Sequence, residues 1–314
     1  MSIKMKMSAL ILAPTIAGFA LGLGMLAKSQ PIGEETKNTD RQNTKKCTEL
    51  TDPRRWSVGV WEPGSYCIDQ DLRQSWPMFE FAHQPVPKSP LIGIFSSNIT
   101  LDLKGHELSS ITPINGGIVT DFSGDENILP TIVHNGQITT SKKPAARMVD
   151  LWNMRNLRFG QGLALAASNG DLSLYKPTVF ILENLTLKSD EHTIIMQGKR
   201  NIIRNCTIIG GNGTVNVYGP NLLFEGNTII LNAKTPKNPD GEQPVALYLE
   251  DAADSIVRNN KIIIKGSDVL NPNAIVLVNS SNVLLEHNTI RGTKSVYKLF
   301  DQRSSVKELA NDAK

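Results

Sequence analysis

The second half of the chain repeats itself, and that constrains the fold more than any single residue does. Five segments share one pattern: 180–187 (FILENLTL), 201–208 (NIIRNCTI), 221–229 (NLLFEGNTI), 255–262 (SIVRNNKI) and 282–290 (NVLLEHNTI). Each has an alternating apolar run, two polar or small residues, a pivot and a second short apolar run. The pivots are Leu185, Cys206, Asn227, Asn260 and Asn288, spaced 21, 21, 33 and 28 residues apart. A period near 20 with occasional insertions is the mark of a solenoid, in which one supersecondary unit buries its apolar face only by stacking on the next. The runs are short, rich in Ile, Val, Leu and Thr, and bounded by Gly, Asn, Asp and Ser, which are strand and turn signals. The L-x-x-L-x-L spacing of leucine-rich repeats is missing.

A further short strand is predicted before most of these segments, at 193–196, 214–218, 245–250 and 274–278. Each coil then supplies three strands. Stacked coils pair each strand with its equivalent, giving three parallel sheets around a dry core, with strands about 4.8 Å apart. The pivot asparagines are expected to point inward and hydrogen-bond from coil to coil, as stacked amides do in ladders. The stretch 274–290 (AIVLVNSSNVLLEHNTI), with 63–67 (PGSYC) and 98–108 (NITLDLKGHEL), resembles the right-handed parallel β-helix proteins of the pectate-lyase-like superfamily. The resemblance covers roughly residues 58–300 and is carried by structural residues. It implies an all-β, single-stranded, right-handed parallel β-helix over 47–303, of about seven or eight coils.

Residues 109–146, 161–177 and 233–244 read as loop insertions, and 304–314 as a C-terminal tail. Loops on a repeat scaffold often gather on one face and build the binding site. Residues 1–29 carry Lys4, Lys6 and Lys28, no acid, and an apolar stretch from Ala9 to Ala27. This is the pattern of a signal peptide, with an uncleaved N-terminal anchor as the alternative. Either implies export, to the periplasm or beyond it, and membrane contact only through an uncleaved segment. Residues 30–46 are polar and read as a flexible linker. Export makes a bridge between Cys47 and Cys67 the expected state of that pair, with Cys206 a buried free thiol.

The formal charge of +3 comes from the leader, since the chain holds 33 basic and 30 acidic residues and three of the basic ones precede residue 30. A neutral mature chain offers no bulk attraction to a phosphate backbone, so nucleic acid is not an expected partner. The sequence has no G-x-S-x-G elbow, H-E-x-x-H pair or P-loop. In enzymes of the superfamily it resembles, polysaccharide lies along the first sheet and the turns that follow it. That mapping makes Lys199, Arg200 and Tyr218 the candidate catalytic residues, and Asn216, Tyr248 and Glu250 the candidate substrate-binding residues. The rings would stack on sugars and the cations would meet uronate carboxylates. Lyase or epimerase chemistry needs a base for the sugar C5 proton and a charge that stabilises the resulting anion. Asp251 and Asp254, with Asp240, Glu242 and Glu250, form an acidic pattern of the kind that holds Ca²⁺ across neighbouring coils. Three readings stay open: a lyase or epimerase acting on an acidic polysaccharide, a non-catalytic polysaccharide-binding module, and an envelope structural or assembly protein. Val276 and Val278, uncharged on the same sheet, lean toward the last two.

Overall fold

The computed structural model describes residues 47–50, 58–74, 90–110, 116–120, 129–141, 145–148, 179–234, 243–266 and 272–314. The leader, the linker, the 161–177 insertion and Asp240 and Glu242 lie outside these residues. Every regular element among the described residues is a strand. None of them is a helix long and apolar enough to cross a membrane.

The strands follow one another coil by coil. β1 (Thr48–Glu49) precedes the first coil, β2 (Val58–Val60), β3 (Gly64–Cys67) and β4 (Leu72–Gln74). Then come β5 (Ile92–Ile94), β6 (Ile99–Asp102), β7 (Glu107–Ser110), β8 (Ile118–Thr120), β9 (Thr131–Thr140), β10 (Ala146–Met148) and β11 (Phe180–Lys188). The regular repeats give β12 (Ile194–Gln197), β13 (Ile202–Arg204), β14 (Thr207–Gly210), β15 (Val215–Tyr218), β16 (Leu223–Glu225) and β17 (Thr228–Asn232). They continue with β18 (Val245–Glu250), β19 (Ile256–Arg258), β20 (Lys261–Lys265), β21 (Asn273–Val278), β22 (Val283–Glu286) and β23 (Thr289–Arg291). The last coil is β24 (Tyr297–Leu299), β25 (Val306–Leu309) and β26 (Asp312–Ala313).

All pairings are parallel and run between successive coils. The first sheet has nine strands, in the order β2-β5-β8-β10-β12-β15-β18-β21-β24. The remaining strands form two ladders that merge into one 17-stranded sheet, because β9 and β11 are long enough to run through both. The result is a three-faced parallel solenoid, the architecture that the repeat implies. Inside it, Leu182, Ile203, Phe224, Val257 and Leu285 stack in one column with no exposed surface.

The pivots line up. The Cys206 N–H donates to Asn227 Oδ1 (2.9 Å), Asn227 N–H to Asn260 Oδ1 (2.8 Å), and Asn260 N–H to Asn288 Oδ1 (3.1 Å). Each side-chain amide also donates inward, Asn227 Nδ2 to the Ile203 carbonyl, Asn260 Nδ2 to Phe224 and Asn288 Nδ2 to Val257. The preceding residue in each coil turns the corner with a left-handed φ: Asn184, Asn205, Gly226, Asn259 and His287 lie between 51° and 64°. Asn and Gly accept that region at least cost, which is why they recur before the pivot.

Two boundaries differ from the sequence expectation. Residues 304–314 do not form a tail: β25 pairs with β22 and β26 with β23, and Asn311 adds a rung by accepting from Asn288 N–H at 2.9 Å. Its strands are short and mix Lys, Glu and Asp with the apolar residues, so the alternation is weak. Nor is 109–146 wholly a loop. It contributes β8 and β9 to the sheets, with Val133 and Ile138 fully buried. Thr and Gly there dilute the apolar pattern. Among the described residues the first sheet has nine strands, one per coil.

At the N-terminal end Cys47 and Cys67 form a disulfide, with Cα atoms 5.7 Å apart. Cys206 is free and buried, and burial pushes its thiol up to about 12.

Candidate functional site

On the two merged ladders, outward side chains are half-exposed. There Arg204 pairs with Glu183 at 2.8 Å and Arg258 with Glu225 at 2.7 Å, an alternating charge column along the solenoid. The outer side of the first sheet is different. Its outward residues Ile195, Asn216, Glu250, Val276 and Val278 are all buried, and Tyr218 and Tyr248 are half-buried. Inward Val217, Leu249 and Leu277 alternate with them, so strand period two still holds.

Register brings four of the predicted residues together. β15 and β18 pair Asn216 with Tyr248 and Tyr218 with Glu250. The Tyr248 hydroxyl donates to Glu250 Oε2 at 3.0 Å, and the Tyr218 and Tyr248 rings lie 6.1 Å apart at 55°. Glu250 is only 2% exposed. Burial is the main force that raises its carboxyl from about 4.5 to about 7; the Tyr248 hydrogen bond opposes that rise, and the charges of Asp251 and Asp301 add to it. At neutral pH the group is therefore a mixture of acid and carboxylate.

Lys199 and Arg200 sit in the turn after β12. The N–H of neighbouring Gly198 donates to the Tyr218 carbonyl (2.9 Å), which sets this turn beside the end of β15. Lys199 is half-buried; Arg200 is exposed, with φ 62° and its N–H on the Pro220 carbonyl. Their turn lies one coil from Tyr218 and two coils from Glu250.

The two expected metal ligands each accept a hydrogen bond from an asparagine of the next coil. Asp251, 1% exposed, accepts from the Asn279 side-chain amide, and Asp254 accepts from Asn282 Nδ2 at 2.6 Å. Each acid is satisfied by an asparagine of the next coil, and both hold left-handed φ values of 52° and 57°. Among the described residues no three His, Cys, Asp or Glu side chains make a group that could hold a metal ion.

Sequence reasoning missed two neighbours. Asp301 follows in the Asp251–Asn279 column, accepting from the N–H groups of Asn279, Arg303 and Ser304 and from the Ser304 hydroxyl. Burial works against its charge, but these donors outweigh it and hold the carboxyl below the ordinary range. The 22-residue step from Asn279 to Asp301 was the available signal. His192 Nδ1 donates to the Gly213 carbonyl (2.8 Å) and lies 3.0 Å from the Asn216 amide. No motif marks it.

A parallel solenoid with a sheltered polar cluster on its first sheet defines a class of protein, not an activity. The family model described as "Right handed beta helix region" matches residues 149–310, more than half of the chain, and the chain belongs to that family. No curated protein and no solved structure matches it.

Proposed function

We propose that this is an exported carbohydrate-active β-helix protein, a lyase or epimerase acting on an acidic polysaccharide at the first sheet. One observation carries the reading: Glu250, a sheltered carboxyl that titrates near 7, is bonded to Tyr248 and flanked by Tyr218. A carboxylic acid kept neutral can donate a hydrogen bond to a uronate carboxylate and stabilise the anion formed when C5 loses its proton. Tyr218, as the phenolate, takes that proton. In elimination the electron pair forms the C4–C5 double bond as the C4–oxygen bond breaks, and the Tyr218 hydroxyl passes its proton to the leaving oxygen. In epimerisation a second acid, the Lys199 ammonium, delivers a proton to the other face of C5. Asn216 and Tyr248 hold the sugar, and Lys199 and Arg200 offset substrate charge. These roles use only the chain's own groups. Asp251 and Asp254 accept hydrogen bonds in the turns that follow the sheet.

The test is turnover of polygalacturonate and alginate by the full chain, followed by ultraviolet absorbance of unsaturated ends and by NMR of the uronate C5 configuration. Activity should fall as pH rises through about 7, because the protonated form of Glu250 is the working one. Glu250→Gln keeps the acceptor for Tyr248 and should flatten that limb. Binding without turnover in both assays would select the non-catalytic module, a reading favoured by buried, uncharged Ile195, Val276 and Val278 on the same face. An intact N-terminus in the cytoplasmic fraction would refute export.

A further inference from the structure

Two large aromatics stand apart from the rest of the first sheet. Trp61 follows β2 and Phe95 follows β5, one coil apart in register, with the Phe95 N–H donating to the Val60 carbonyl. Their rings stack with centroids 4.1 Å apart and planes 18° apart, and Trp61 is 68% exposed. Glycine occupies the outward position two residues earlier in both strands. A Cβ on Gly59 would stand 2.6 Å from Trp61 Nε1, and one on Gly93 would stand 2.6 Å from the Phe95 ring. The rings therefore lie back over a bed cleared by glycine. A side chain at either position would lift its ring away from the sheet.

The register extends this pair to the candidate site. Val60, Ile94, Thr120, Met148, Met196, Val217 and Leu249 occupy one position across the first sheet. The next position therefore holds Trp61 and Phe95 at one end, and Gln197, Tyr218 and Glu250 farther along. From β2 to β15 is five strand steps, about 24 Å at about 4.8 Å per step. An exposed pair of stacked rings, with Trp61 68% open to water, is the kind of apolar patch that marks a binding site.

We propose that Trp61 and Phe95 form a distal sugar-stacking subsite, which holds a polysaccharide running along the solenoid axis toward Tyr218 and Glu250. The occupant follows from shape and continuity. A flat indole backed by a second ring matches the apolar C–H face of a pyranose, and the same register position leads to the candidate site. The inference rests on the proposed reading of that sheet as a polysaccharide-facing surface.

The experiment measures binding of long polygalacturonate and long alginate by affinity electrophoresis and calorimetry, using the full chain. Trp61→Ala should weaken polymer affinity about three- to tenfold, and Trp61→Phe should restore most of it. Gly59→Ala, which keeps the indole but displaces it, should weaken binding too. Circular dichroism and thermal melts show whether each variant folds. Loss of affinity in Tyr248→Ala but not in Trp61→Ala overturns the subsite and leaves the functional proposal standing. Loss in Trp61→Ala but not in Tyr248→Ala keeps the subsite and overturns the catalytic location. No binding of either polymer by the wild type overturns both. Concentration-dependent dimers in sedimentation that Trp61→Ala dissolves would make the patch a protein contact and overturn the sugar assignment.

Discussion

Glu250 concentrates the chemistry of the first sheet in one side chain, and the cost of burying it is measurable. Its carboxyl titrates near 4.5 when unfolded and near 7 when folded. Below about pH 4.5 both states are protonated and the group contributes nothing. Between 4.5 and 7 the unfolded chain ionises while the folded one keeps its proton, so the folded state binds more protons and loses stability as pH rises. Above 7 the loss is complete, at about 3 kcal/mol. Glu250→Gln should therefore match the wild type near pH 4.5 and exceed it increasingly up to pH 7, in urea denaturation followed by circular dichroism. Equal pH slopes for the two proteins would show that the carboxyl is not desolvated. The residue types were legible in the sequence here, and their state was not. Tyr248 and Glu250 share a face by strand period, but nothing in the sequence shows that this face is sheltered while the equivalent face carrying Arg204 and Arg258 is half-exposed. Asp251 shows the same limit: the sequence shows an acid at a sheet corner, but not the asparagine of the next coil that donates to it.

Among elements, the asparagine column decides how coils stack. Asn260 Oδ1 accepts from Asn227 N–H, and its amide donates to the Phe224 carbonyl and to Asn288 Oδ1. Replacing it with Leu keeps an apolar volume, already tolerated in this column by buried Leu185, but leaves a backbone donor and a backbone acceptor unpaired. At about 1–3 kcal/mol for each buried group, Asn260→Leu should cost about 2–5 kcal/mol. Asn260→Lys must bury an ammonium as well and should prevent folding at 37 °C. Thermal melts of the two variants give the order; equal melting temperatures would mean that the column is not closed to water. This element was readable because Asn recurs with a corner residue of left-handed φ before it, a pairing that backbone sterics enforce. The coils at 116–148 were not readable, because Thr120, Thr131 and Thr140 face the interior there and are buried without being apolar. Period two survives in such a strand, but hydrophobicity no longer reports it.

For the whole molecule, a solenoid's stability is close to a sum over coils and the contacts between them, so an end can unravel without the middle. The first coil is tied by the Cys47–Cys67 bridge, while the last is tied by packing, ladder and side-chain hydrogen bonds and the Arg291–Asp312 ion pair. Deleting residues 305–314 would remove β25 and β26 and uncover Val283, Leu285 and Ile290, each 0% exposed. It would also take Asn311 from the Asn288 N–H and amide. Partial exposure of three side chains, each worth about 1.5–3 kcal/mol when fully buried, together with the lost hydrogen bonds, gives an expected cost of about 4–6 kcal/mol. The cost should be local. Hydrogen exchange should show faster exchange for amides of 283–291 in the truncated chain, while those of 202–210, three coils away, keep their protection. Asn311→Ala, which keeps both strands, should reproduce a smaller part of the same pattern, confined to the neighbourhood of Asn288. Uniform loss of protection along the chain in either variant would mean that the coils fold as one cooperative unit. Unchanged protection at 283–291 after the deletion would mean that the last coil is not part of the core, and that the sequence reading of 304–314 as a tail was correct in energetic terms even though its strands are formed.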